Sequence, residues 1–381
     1  MAPPWVLLDR HVKFVDGGIF AGGAGKAAAA IGGSIREPSV EEDVAAMEPH
    51  PAVADPPEAT RLSMLRGIPA HPMQSVHDGM ISSTDRGLVV LYTGRYRPGN
   101  GDHLRTGYYL CLGNSAAILR CGGEEEGAYV LAELLCGPTF FFHIDLAFAL
   151  GGSRVCWADL LAGVLICDLF APQGPEFSFV PLPQGRSLHT PDNVRLGRKV
   201  QEFRSMGIVR GVLTFVALVG YTEVSLSKSS DVVLETWALS LDLREWRKGP
   251  AVRVGDLWAS ESFSKMGLPR GRPPMFPALS MDEYGIVYAF LNDIEYVDTA
   301  DYYGQIIGRQ LVLNAHYVVR LDLVQNRVLY SKKSPTNSLA QLAPSLLASD
   351  FSAYLHGSKS KDRQRGEEAS NAGATMKRIK Y

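Results

Sequence analysis

The stretch "LETWALSLDLREWRKGP", Leu234–Pro250, carries the reading of the fold. From Leu239 to Leu243 apolar and polar residues alternate, the chain turns over charged residues near Arg244, and the run stops at Gly249–Pro250. A period of two that breaks at a polar turn predicts a hairpin with one buried face. Trp237 and Trp246 stand near its two ends. Such rings either fill the space between neighbouring sheets or stack on a ligand. We read them as packing, because the form recurs.

"WADLLAGVLICD" and "VRLDLVQNRVLYSKK" repeat it: an apolar strand, Asp-Leu, a short turn, a second strand. The aspartates are Asp159, Asp242 and Asp322, and they follow at nearly even intervals. An aspartate at a strand end can hold the turn through its side chain. Other runs rich in β-branched and aromatic residues read as strands from Met80 onward, among them "GLVVLYT", "TFFFHIDLAFA", "GVLTFVALVGY", "GIVYAFLN" and "HYVVRLDL". Strands opening on Gly87, Gly211 and Gly285 precede such hairpins. Small sheets that cannot bury both faces alone stack around an axis. The expected fold is therefore all-β, a β-propeller-like array of small antiparallel sheets. "NSLAQLAPSLLASDFSAYL", 337–355, is the clearest helix candidate, although Pro344 interrupts it.

Composition divides the chain. Residues 1–16 contain one strand, "WVLLDRHVKF". Residues 17–70 are rich in Gly, Ala and Pro and are expected to be a disordered insertion. Residues 71–355 form the propeller-like region, and 356–381 a polar, disordered tail. The Gly-rich run ending at Gly25–Lys26 is not a phosphate loop: Phe20 and Ala27 stand where glycine and a hydroxyl residue are required.

Net charge is −2, so no global field favours nucleic acid or an anionic membrane. No signal peptide and no apolar run of the ~20 residues a membrane helix needs are visible. The expected setting is intracellular, cytoplasmic or nuclear. The basic residues of the tail, Lys377, Arg378 and Lys380 among them, are diluted by Asp362, Glu367 and Glu368 as an import signal. The five cysteines, Cys111, Cys121, Cys136, Cys156 and Cys167, are odd in number and show no CxxC spacing, against a secreted disulfide framework.

The order of "WVLLDR", "DRGLVVLYT", "YYLCLGNSAAILRC", "CWADLLAGVLICD", "TWALSLDLREWRKGP" and "VVRLDLVQNRVLYSKK" resembles a plant family abundant in grasses, domain-of-unknown-function family 1618. The resemblance covers Trp5 to about Lys333. It implies a relative of the β-propeller domains associated with F-box proteins. It implies no catalytic residue, because the family has no established activity. Nothing before Met80 has the helical pattern of an F-box, and the Gly/Ala-rich stretch after Phe14 replaces strand-forming sequence.

Chemistry is sparse. His143 and Asp145 share a face if "FFFHIDLAF" is a strand. They are either an acid–base or metal-ligating pair or a histidine bonded at a loop edge. Cys156 and Cys167 flank one hairpin turn, as a facing thiol pair or as small buried hydrophobes. His71 and His77 have no metal-site spacing, and no GxSxG is present. Arg95, Arg97 and Arg105 in "RYRPGNGDHLR" are the candidate binding residues, for an acidic partner or phosphate. The reading that best fits is a non-catalytic protein-interaction module without cofactor or metal. The alternative is a carbohydrate-binding protein or hydrolase using acidic or aromatic residues at the propeller mouth.

Overall fold

The computed structural model of the chain describes residues 3–16, 47–66, 78–92, 116–120, 129–135, 142–188, 199–221, 226–300, 302–303, 305–334, 345–354 and 375–380. Its strands are β1 (Val6–Asp9), β2 (His11–Asp16), β3 (Glu48–Ala52), β4 (Ala59–Arg66), β5 (Asp78–Asp85), β6 (Leu88–Tyr92), β7 (Ala116–Arg120), β8 (Tyr129–Leu135), β9 (Leu146–Gly151), β10 (Arg154–Asp159), β11 (Gly163–Asp168), β12 (Glu176–Pro181), β13 (Arg204–Val209), β14 (Val212–Val219), β15 (Val233–Leu239), β16 (Trp246–Arg253), β17 (Met275–Leu279), β18 (Ile286–Ala300), β19 (Ile306–Asp322), β20 (Arg327–Ser334), β21 (Leu346–Ser349) and β22 (Thr375–Lys380). Two short helices, α1 (Val254–Ala259) and α2 (Glu261–Lys265), follow β16.

The fold is an all-β, propeller-like array. Three consecutive four-stranded antiparallel meanders, β9–β12, β13–β16 and β17–β20, form its most regular part. Strands β10 and β11 read as unbroken apolar runs because both of their faces are buried. One face packs on the β13–β16 sheet through Cys156, Ala158, Val164 and Ile166. The other packs on β7 and β8 through Val155, Trp157, Leu165 and Cys167. Gly163 opens β11 because a Cβ there would lie 2.5 Å from the Val180 carbonyl oxygen of the neighbouring strand.

The first sheet, with strand order β21-β1-β4-β2-β5-β6 and β3 on the edge of β4, turns a corner at Arg10. Before the corner β1 pairs with β21; after it β2 pairs with β5. The Arg10 backbone bridges the two, its amide donating to Ser345 O and its carbonyl accepting from the Ile81 amide. The last meander packs back on this sheet, with Trp5 and Leu7 against Ala278, Ile286 and Tyr288. β1 and β21 thus join the beginning and the later part of the chain in one ladder, from Val6↔Ser349 to Asp9↔Leu346.

Three expectations are corrected. Residues 48–66, assigned to a disordered insertion, form β3 and β4. β4 is interior, and its buried Thr60 and Leu62 keep a period of two. β3 carries Pro49 and Pro51 but lies on an edge, where a missing N–H is tolerated. Residues 346–349, inside the predicted helix, are a strand, because pairing with β1 outweighs local helix propensity; a 3-10 turn follows at Phe351–Tyr354. Residues 375–380 of the expected disordered tail form β22, parallel to β8. Residues 17–46 lie outside the described residues.

Candidate functional site

β9, β13, β17 and the segment before β21 surround a depression lined by Leu146, Gln201, Arg204, Ser205, Phe276 and Ser345. Its volume is about 20 Å3, enough for an ordered water. Phe276, at a bulge in β17, has φ +53, a strained value for a bulky residue. Beneath the depression lies a buried polar seam. Arg10, 1% exposed, donates from Nε to Ile81 O (2.7 Å) and from Nη1 to Asp145 O (3.3 Å). Burial lowers its pKa to about 10, offset in part by Asp145. Asp145 Oδ2 accepts from the Leu160 amide (2.9 Å), and Oδ1 accepts from Gln201 Nε2 (3.3 Å). Asp159 accepts from the amides of Leu161 and His143, both at 2.9 Å. Both carboxylates therefore hold the β10–β11 turn to the strand entering β9. Arg204 Nη1 donates to Leu160 O and Arg186 O, both 2.8 Å away, and burial lowers its pKa to about 10. This seam clamps one sheet to the next.

A second feature belongs to the last meander. β17 pairs with β18 as far as Phe290, and among the described residues β20 pairs with β19 from His316 onward. Between these limits β18 and β19 continue as a two-stranded arm, from Asp293↔Ala315 to Ala300↔Ile306. Its root is fixed by a buried cross-strand pair: His316 stacks on Phe290 (4.9 Å, 19°), and its Nδ1 contacts Asn292 Oδ1. Burial pushes the imidazole below its ordinary value, so a neutral ring donating from Nδ1 fits the site. Toward the tip Asp298 pairs with Arg309 at 2.9 Å. Tyr302 and Tyr303 are 97% and 90% exposed, with ring centroids 5.6 Å apart, and Val297, Ile306 and Ile307 are exposed beside them. Ile306 and Ile307, successive on β19, expose apolar surface on both faces of the arm.

The sheets that carry this architecture also carry the family signal. Residues 157–288 match the family model described as "Protein of unknown function (DUF1618)". No curated protein and no solved structure matches the chain. The DUF1618 match begins at Trp157 in β10, spans the β13–β16 meander and ends at Tyr288 in β18, so the arm lies beyond it.

Within the DUF1618 stretch the tryptophans act as packing residues. Trp237, 5% exposed, lies beside Phe215 (5.6 Å) and under the Arg186 guanidinium (5.2 Å), which arrives from the preceding sheet. Trp246 donates from Nε1 to Pro181 O of β12 at 2.8 Å. Of the three aspartates, Asp322 accepts from the amides of Val324 and Gln325, closing the turn between third and fourth strands. Asp159 closes a turn between second and third strands, so the hairpins are not equivalent. In β15–β16 the closing group is the Ser240 hydroxyl, which accepts from the amides of Arg244 and Glu245, while Asp242 bonds to that hydroxyl.

His143 and Asp145 do come together, at 3.5 Å, with His143 exposed and Asp145 buried. Cys156 and Cys167 do not face each other. Val155 pairs with Cys167 and Cys156 with Ile166, and a one-residue offset puts the thiols on opposite faces. Burial raises both thiols, Cys167 to about 11. Alkylation of the native chain at pH 8, mapped by mass spectrometry, should therefore leave both unlabelled, and unfolding should expose both. Native labelling of Cys167 at the rate of a free thiol would contradict this placement.

Arg95, Arg97 and Arg105, with His71, His77 and the other three cysteines, lie outside the described residues. The arm was missed from sequence. Its signal was "YYGQII", two aromatic and two aliphatic residues around a glycine between strand-like runs. Among the described residues no helix is long and apolar enough to cross a membrane.

Proposed function

We propose that this chain is a non-catalytic protein-interaction module whose propeller-like scaffold presents the β18–β19 arm to a partner protein. The carrying observation is the exposed group Val297, Tyr302, Tyr303, Ile306 and Ile307 on a ribbon that, among the described residues, has no neighbouring strand on either edge. Asp293, Glu295 and Asp298 against Arg309 give the arm a negative balance, which favours encounter with a basic partner surface. Folding alone gives no reason for the tip, since a two-stranded ribbon adds little stability.

The test replaces Tyr302, Tyr303, Ile306 and Ile307 by serine together. The melting curve should stay near wild type, because exposed substitutions usually change stability by less than about 0.5 kcal/mol each. Partner recovered by cross-linking from native tissue should fall at least tenfold. Undiminished recovery sinks the proposal. Loss in an Arg95→Ala/Arg97→Ala variant alone moves recognition to the "RYRPGNGDHLR" loop. The tyrosine pair also favours a second reading, carbohydrate binding by ring stacking, which glycan-array binding abolished by Tyr302→Ser/Tyr303→Ser would support.

A further inference from the structure

The three-stranded sheet β22-β8-β7 has two unlike edges. That of β7 is met by side chains of β5 rather than by a strand. Ser82 Oγ donates to Ala116 O (2.7 Å), the Ile118 amide donates to Ser83 Oγ (3.0 Å), and the Arg120 amide donates to Asp85 Oδ2 (2.5 Å). The outward backbone groups of β7 at these positions are therefore capped. Along the opposite edge of β8 a strand takes that place: β22 pairs there over six residues, from Thr375↔Val130 to Lys380↔Leu135.

β8 is poorly defended without that cover. Its sequence, "YVLAELL", has no proline, and neither of its ladders shows a register shift. Natural edge strands are protected by charge, proline or bulges, and β8 has one charged residue, Glu133, which is 5% exposed. The register puts Arg378 beside Glu133. β22 is joined to the 3-10 turn ending at Tyr354 through twenty residues, 355–374, rich in Lys, Arg, Ser, Gly and Glu. Because β22 belongs to the same chain as β8, its pairing is intramolecular, which keeps even a weak strand in place.

We propose that the edge of β8 is a strand-acceptor site for an extended basic peptide with a cation beside Glu133, held in cis by residues 375–380 and opened to an equivalent strand of a partner when they leave. Recognition is by main-chain pairing, with the Glu133 position setting the charge requirement. The arm takes no part, so this site and the proposed function fail independently.

The test uses the full chain carrying Arg378→Pro/Ile379→Pro. Two consecutive prolines remove an edge-facing N–H whichever residue points at β8. A fluorescent peptide of residues 371–381 should bind this variant saturably and about tenfold more tightly than wild type, whose site is filled. The same peptide with Arg378→Glu should not bind. Equal affinity for variant and wild type, equal binding of the Arg378→Glu peptide, or no binding overturns the proposal. A second measurement does not depend on the proline variant folding. In full chain carrying only Arg378→Glu, amide hydrogen exchange should quicken in β8 and stay unchanged in β13–β16. Unchanged β8 exchange overturns the proposal as well.

Discussion

Trp237→Ala is expected to destabilise the chain by about 3–5 kcal/mol, the range for large-to-alanine changes in a core. The ring pairs in register with Phe215, lies beneath Arg186, and belongs to the cluster shared by the three meanders. Removing it opens a cavity between sheets and takes the apolar floor from under a cation. Arg186 also donates to Glu235 Oε2 at 3.0 Å, and Lys248 meets Oε1 at 3.2 Å, so the loss would loosen a buried carboxylate with two partners. Denaturant melts of wild type, Trp237→Ala and Trp237→Phe would measure the effect. The phenylalanine variant keeps a ring under Arg186 and should lie between the other two. An unchanged alanine melt would mean that the ring is no packing residue.

Arg204→Leu should be comparably damaging, about 3–5 kcal/mol, although it swaps a charge for a hydrophobe in a buried place. The guanidinium holds two carbonyls, Leu160 O and Arg186 O, and stacks on Phe203 and Phe215. Leucine supplies no donor, so both carbonyls lose their hydrogen bond. Asp145 and Asp159 would also lose a nearby positive charge. Equilibrium unfolding of Arg204→Leu against wild type tests this, with Arg244→Leu on an exposed turn as a control that should be nearly silent. Equal stability of Arg204→Leu and wild type would show that the seam is not a clamp.

The hairpin of residues 234–250 was readable because its alternation is local. Its end was not: β16 runs on through Gly249 and Pro250 to Arg253. A register shift near Glu235 and Trp237 absorbs the proline on an outer strand, with Thr236 Oγ1 donating to Pro250 O. β4 had a legible period of two, but the Pro- and Ala-rich composition around it argued for disorder. β21 could not be separated from a helix locally, because its partner β1 lies at the other end of the sequence. The acid–base reading of His143 and Asp145 rested on side-chain types. Only the placement of the β10–β11 turn shows Asp145 holding the Leu160 amide. The tyrosines of the arm look like core aromatics in composition; their exposure follows from where they sit on a ribbon that runs on past the end of β17, a fact no local window contains.

The β1–β21 ladder also sets an order of assembly during synthesis. β1 is made before every strand of the meanders, yet the antiparallel partner of Val6, Leu7 and Leu8 is made only when residues 347–349 emerge, after all of them. Domains form in step with synthesis where their contacts are local, and contacts this distant along the chain are the slowest to gain. The meanders β9–β12, β13–β16 and β17–β20 can each condense from a continuous stretch of newly made chain. One edge of β1 stays open through all of these steps, until β21 has been made and can shield it.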